Sequence, residues 1–227
     1  EDCYVTGSIT TASKPYMDVG GLVGQAQGAN VTISRCYAGV TFIGGHDNSF
    51  FGGLVGSCEG GTTIENCYAI PDMTDVTAGH CGGITSSTSG TIQNCYAAGA
   101  VFSGAGIASN AANISGSVSI FPEMRGSARI FSSSNSTGSK NYGFEGTIQR
   151  DSNGIVTPPA AQFAADKAQG ANATAVQLKS FEFYKNILGW DNAIWEMRSG
   201  YDFPVRQGQK TVPTLTLNMT PSVIDIT

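Results

Sequence analysis

The chain has 227 residues, a net charge of −5 at pH 7, and only 13% charged residues against 30 glycines. Its 12 lysines and arginines are scattered singly, which leaves no electrostatic footprint for nucleic acid or an anionic membrane surface. No apolar run approaches the roughly 20 residues needed to cross a bilayer. A hydrophobic fraction of 41% is enough for a core, and the abundance of Gly, Ser, Thr and Asn points to strands and turns rather than helices. The sequence starts at Glu1 without a methionine or signal peptide, so it reads as a piece of a longer protein.

The dipeptide Cys-Tyr recurs at Cys3-Tyr4, Cys36-Tyr37, Cys67-Tyr68 and Cys95-Tyr96, and Ile33, Ile64 and Ile92 stand three residues before the last three copies. A second signature precedes each of those copies: Gly20-Gly21-Leu22-Val23-Gly24, Gly52-Gly53-Leu54-Val55-Gly56 and Gly82-Gly83-Ile84-Thr85-Ser86, with a degraded copy at Ala105-Gly106-Ile107-Ala108. The spacing falls from 33 residues between Cys3 and Cys36 to 22 between Cys95 and Ser117. Repeats of this length stack as units that cannot bury their apolar faces alone. Parallel strands in register place Leu22 over Leu54, Ile84 and Ile107, and Ile33 over Ile64, Ile92 and Ile114. The expected core is those ladders.

An Ile-to-Cys interval of three breaks the two-residue period of a strand, so a bend must intervene if both side chains face inward. The residue before the cysteine position is Asp2, Arg35, Asn66, Asn94 or Gly116. All but Arg35 belong to types that tolerate a left-handed backbone. Cysteines repeated at one site of a stack are expected to be reduced, buried and piled on one another, while Cys58 and Cys81 lie outside that ladder and their state is open. The insertions Gly44 to Ser49 and Asp72 to Asp75 are expected in loops after Cys-Tyr. A further rung is expected through Ala128 to Phe131 and on to Asn141-Tyr142.

Gly-Gly-Leu-Val-Gly followed by Ile-x-Asn-Cys-Tyr-Ala resembles the GLUG repeat, over residues 1 to about 115. That family occurs in bacterial surface and secreted proteins, including adhesin-like chains and the amino-terminal regions of immunoglobulin A peptidases. The resemblance implies an exported protein and an all-β fold, a right-handed parallel β-helix (β-solenoid), and brings no catalytic residues.

From Pro158 the texture changes. Thr174-Ala175-Val176-Gln177 has the form of a capping box, and Leu178, Phe181, Tyr184 and Leu188 follow at helical spacing up to Gly189. A short helical, Trp-containing C-terminal cap is expected. Trp190 and Trp195 also admit a second reading, as a sugar-stacking platform. The expected organisation is a β-helix over 1–150, a cap packed on it over 151–210, and a strand or linker toward a following domain over 211–227.

Chemistry-bearing residues are sparse. Asp18, Asp47, Asp72 and Asp75 lie in stretches read as turns, where they either gather calcium or simply form the turns. His46, His80 and Cys81, with Cys58, are the candidate zinc ligands, but their offsets from the glycine signature disagree. No nucleophile elbow stands out. The expectation is therefore no catalytic, cofactor-binding or metal residues, and no cofactor. The expected function is that of a non-catalytic exported bacterial module, adhesin-like or a cell-surface scaffold, monomeric within a larger chain and meeting a host protein or glycan. The alternative is a polysaccharide-cleaving enzyme with a carboxylate site on the loops.

Overall fold

The computed structural model describes residues 1–99, 101–126, 128–210 and 219. The expectation of a strand or linker over 211–227 falls, apart from Met219, outside the described residues. The protein is all-β, with parallel sheets built by stacking one repeat on the next.

One sheet carries the residues after each cysteine position. Its strands include Tyr4–Thr10, Tyr37–Gly52, Tyr68–Gly82, Tyr96–Ala98, Val118–Ile120, Tyr142–Phe144 and Ala171–Ala173, paired in parallel in that order. Tyr4, Tyr37, Tyr68 and Tyr96 are direct register partners. A second sheet is formed by Val23–Ala26, Thr32–Ser34, Val55–Cys58, Thr63–Glu65, Thr85–Gln93, Ala108–Ser115 and Thr137–Ser139. Within it Ile33, Ile64, Ile92 and Ile114 are in register. A third, smaller sheet holds Val101–Ser103, Glu123–Arg125, Ile148–Asp151 and Gly154–Val156, the last pair antiparallel.

The leucine ladder runs as expected: main-chain N–H groups of Leu22, Leu54, Ile84 and Ile107 donate to the carbonyls of Leu54, Ile84, Ile107 and Ile130 in turn. The last step establishes the rung through Ala128 to Phe131. Leu54, Ile64, Ile84, Ile92, Ile107 and Ile114 are all fully buried, each stabilising the stack by about 1.5–3 kcal/mol through burial.

The two halves of the repeat signature meet inside. A Cβ on Gly53 would stand 2.1 Å from the Gly83 carbonyl and 3.0 Å from the Ala69 Cβ, so the second glycine of Gly-Gly-Leu makes room for the alanine of Cys-Tyr-Ala.

The bend before each cysteine is also resolved. Asp2, Arg35, Asn66, Asn94, Gly116 and Lys140 all have φ between 52° and 58°. Arg35 therefore adopts the left-handed backbone despite its type, as does Lys140 one rung further on. The cost of the bend is offset because the thiol of Cys36, Cys67 or Cys95 donates to the carbonyl two residues upstream, at 3.1–3.2 Å. Ser117 does the same with its hydroxyl.

Two expectations change. Gly44 to Ser49 and Asp72 to Asp75 are not loops; they sit in the long strands Tyr37–Gly52 and Tyr68–Gly82, which stay paired through register shifts between Thr41 and Ile43 and between His46 and Phe50. Bulges absorb the extra residues without breaking the pairing. The helix expected over 175–188 is broken. It forms as Ala175–Leu178 with the Thr174–Gln177 capping box, then Phe181–Phe183, then a wider turn over Tyr184–Leu188, closed by Gly189 at φ 81°.

Candidate functional site

Alternation along the first sheet divides Cys-Tyr-Ala between two cores. Cys36, Cys67 and Cys95 and the alanines after them face the interior with the aliphatic ladders, and these three cysteines are free thiols. Cys3, before the first strand of the sheet, is exposed, contrary to the expectation of a buried ladder. The tyrosines face outward and stack ring on ring, with centroids 5.2, 4.9 and 4.9 Å apart and planes within 5°. From Tyr37 onward this outer face is covered, while Tyr4 on the first rung stays exposed. After the strand Ala171–Ala173 the chain turns and runs back along the flank of the stack, as a strap from the late rungs toward the first.

Contacts trace the strap's course. Phe183 meets Tyr142 edge-on, and the Trp190 Nε1–H donates to the Gly116 carbonyl at 2.9 Å. Trp190 and Trp195 stack at 4.5 Å beside Tyr96. The Tyr96 hydroxyl donates to the Pro204 carbonyl at 2.9 Å, Gln209 donates to the Tyr68 hydroxyl at 2.6 Å, and the Arg206 guanidinium reaches the Arg35 carbonyl and Asp2. Trp190 and Trp195 are 2% and 0% exposed, so neither ring face is open to a sugar. The segment packs on the stack, along its flank rather than across its end.

The C-terminal end is filled by Arg129. This residue stands where Gly106 stands one rung earlier, and opposite it Gly143 replaces the alanine of earlier rungs; a Cβ there would lie 2.6 Å from the Arg129 Nε. The guanidinium is buried and donates to the carbonyls of Gln169, Gly143, Phe144 and Gly170 and to Asn172 Oδ1, at 2.7–3.2 Å. Burial pushes its pKa down to about 10, so it is charged at neutral pH. Arg129 satisfies main-chain acceptors that the end of a stack would otherwise leave buried and unpaired.

The acidic, histidine and cysteine candidates do not converge. Asp47, Asp72 and Asp75 are exposed along the long strands, Asp72 accepting from the Thr74 N–H at 3.2 Å. Asp18 begins the strand Asp18–Gly20, beside Phe50. His80 stacks on Phe50 at 5.0 Å, and His46 Nδ1 accepts from the Asn48 N–H. Cys58 and Cys81 are buried free thiols, and burial raises their pKa values to about 11 and about 12, so both are protonated at neutral pH. Among the described residues no three His, Cys, Asp or Glu side chains gather in a metal-binding group.

A hollow lies where the chain leaves the last rungs, between the ends of Glu123–Arg125 and Ile148–Asp151 and the excursion 152–169. It encloses about 810 Å³ and is lined by Arg125, Arg150, Val156, Pro158, Pro159 and Gln169, among others. Met124 and Gln149 are register partners and face inward, so Arg125 and Arg150, one residue on, project outward side by side. Neither arginine is conspicuous in the sequence, because each stands alone in the chain and only strand register pairs them. Arg129 does leave a trace: aligning the rungs puts an arginine in a glycine column and Gly143 in an alanine column.

A scan of family models finds no match to this sequence, and a search of curated proteins finds none either. Among solved structures it is similar to a crystal structure from Bacteroides ovatus described as a candidate immunoglobulin A1 protease. The two share a TM-score of 0.61 and 18% identity, over 88% of this chain and 74% of that one. Likeness at that identity concerns the fold: all-β, with parallel sheets.

Proposed function

We propose that this chain is a non-catalytic module of an exported bacterial protein, its rungs wound as a right-handed parallel β-helix, which presents a binding or spacing surface outside the cell. The observation that carries this reading is where the reactive side chains go. The thiols of Cys36, Cys67 and Cys95 close the bends, the tyrosines form the bed of the strap, and the hollow of about 810 Å³ holds a single carboxylate, Asp151, beside arginines, amides, hydroxyls and aliphatic groups. The similar Bacteroides ovatus structure supports a protease-related, exported setting, in which the stack serves chemistry located on other parts of a longer protein. A host protein or glycan is the partner such a surface would meet.

The test is incubation of the purified chain with immunoglobulin A1 and with acidic polysaccharides, alongside an array of host glycoproteins and glycans. Intact substrates and a saturable array signal are expected. Cleavage of a polysaccharide that disappears in Asp47→Asn or Asp75→Asn would replace this reading with that of a glycan-cleaving enzyme.

A further inference from the structure

Arg125 and Arg150 present an unusual pairing. They project from neighbouring parallel strands on the same face, where like charges repel. Glu123 is the acidic group in ion-pair range of both, yet its oxygens stand 3.8 Å from the Arg125 Nε and 3.5 Å from the Arg150 Nε, too long for a charge-assisted hydrogen bond. Asp151, also on the rim, is committed to its own turn, accepting from the Asn153 N–H at 2.7 Å. Two guanidinium forks therefore line, together with Asp151, a hollow of about 810 Å³, and neither makes a short charge-assisted bond to Glu123; the hollow is within the size range of a ligand site.

A second observation lies beside them. Gln149 is 3% exposed; its Nε2 donates to Gln169 Oε1 at 2.9 Å, and its Oε1 has no partner. It lines a smaller hollow of about 230 Å³ that shares Val156, Thr157 and Pro158 with the larger one. A buried acceptor left unpaired costs about 1–3 kcal/mol, and a ligand N–H would satisfy it. Between the two hollows runs the strand Gly154–Val156, an edge of its sheet, with Ile155 51% exposed.

We propose that this corner binds an extended polypeptide segment that offers a carboxylate to Arg125 and Arg150 and a main-chain N–H toward Gln149. The proposal rests on the binding-module reading and narrows it to one ligand class. A simple anion would satisfy the arginines but not the orphan acceptor, which asks for a donor on the same ligand. The lining of the larger hollow, which also includes Asp151, Ser152, Thr157 and Gln162, carries no aromatic ring on which a sugar would stack; the aromatic ring on the smaller one, Phe163, has the Arg129 guanidinium over it, 4.8 Å from the ring centroid. An edge strand flanked by hollows is a recurring way of holding an extended peptide, the main chain pairing with the edge and alternate side chains filling pockets.

The test uses the whole chain and two blocked hexapeptides, one alternating Glu with Val and the other alternating Gln with Val, followed by NMR titration at low and high salt. The Glu peptide is expected to shift amides of 123–126 and 148–157, and the Gln peptide to bind about tenfold more weakly. Arg125 and Arg150 are 58% and 40% exposed, so Arg125→Gln and Arg150→Gln should leave thermal unfolding unchanged while weakening the Glu peptide about tenfold. Equal binding of both peptides, an Arg150→Gln variant that binds like the parent, or binding of a uronic-acid oligosaccharide in place of the peptide would each overturn it. The array separates the two proposals: a signal that survives Arg125→Gln/Arg150→Gln removes this site and keeps the binding module, whereas no signal from the parent chain removes binding altogether and leaves only the spacer.

Discussion

The protein has two cores on opposite faces of one sheet, and they are built on different principles. The inner core is periodic: Leu54, Ile64, Cys67 and Ala69 meet the same residue types one rung above and below. The outer core is periodic on one side only. Its floor is the stack of Tyr37, Tyr68 and Tyr96, while its roof is the aperiodic strap carrying Leu178, Phe183, Trp190, Trp195 and Phe203. An alternating strand thus lets one dipeptide serve both, with cysteine inward and tyrosine outward. Failure in the inner core should propagate through the stack, since each rung is stable only on its neighbours. Failure in the outer core should release the strap and spare the rungs.

The largest effect expected is at the inner core. Ile64→Asp places a carboxylate at a fully buried site between Ile33 and Ile92, without a partner, and a penalty of this kind exceeds about 4 kcal/mol. Far-ultraviolet circular dichroism should show loss of strand signal at room temperature. A folded Ile64→Asp protein would mean that the ladders are not what holds the rungs together.

Trp190→Ala sharpens the contrast. It removes a buried ring and leaves the Gly116 carbonyl without its donor, at a cost of about 3–5 kcal/mol. Limited proteolysis should then cut within 174–209 while the strand signal persists. The neighbouring tryptophan provides a control: the Trp195 indole N–H is buried without a partner, so Trp195→Phe should cost less than Trp190→Phe, which forfeits a hydrogen bond worth about 1 kcal/mol.

The cysteine ladder contains its own experiment. The Cys67 Sγ accepts from the Cys36 N–H at 3.3 Å and donates to the Glu65 carbonyl at 3.1 Å. In the later rungs Ser117 and then Asn141 take over the accepting role, from the N–H groups of Cys95 and Ser117. Cys67→Ser should therefore cost only about 1 kcal/mol, whereas Cys67→Val, which orphans the Cys36 N–H, should cost about 2–3 kcal/mol. Thermal unfolding of the two variants side by side measures the difference, and equal losses would reduce the cysteine to a space-filling hydrophobe.

How legible each core is follows from the same contrast. Ile33, Ile64 and Ile92 announce the inner core because every rung repeats the statement, and the extra rung through Ile130 follows from counting. The bend at Arg35 is not legible from residue type, since the thiol bond beside it and the parallel pairing outweigh a side-chain preference. Asp47 and Asp75 read as loop residues because loop and bulged strand have the same composition, and only pairing with the neighbouring rung separates them. For Trp190 and Trp195 the sequence shows a dense aromatic stretch that needs a partner. It does not show which surface, because the contact from Trp190 to Gly116 spans 74 residues and has no periodic echo. Arg125 and Arg150 come together by register alone.

The smallest effect expected is at the far end of the strap, where the comparison is most delicate. Arg206 reaches back to Asp2 and to the Arg35 carbonyl, and Arg35 itself pairs with Asp2 at 2.6 Å. The Arg35 guanidinium, helped by that of Arg206, holds the pKa of the Asp2 carboxyl down at about 2, from 3.8. A carboxyl depressed by folding stabilises above its unfolded value and loses that contribution as pH falls through the folded one, so the fastening weakens between about pH 4 and pH 2. Asp2 is half exposed, and solvent screens such pairs strongly, so overall stability should change little. The sensitive readout is hydrogen exchange of the amides around 205–209 at pH 3.5 and pH 2.5, corrected for the intrinsic rate. Protection should fall in this stretch and hold at the indole of Trp190. Asp2→Asn should abolish the difference between the two pH values; a difference that persists would place the acid-labile contact elsewhere along the strap.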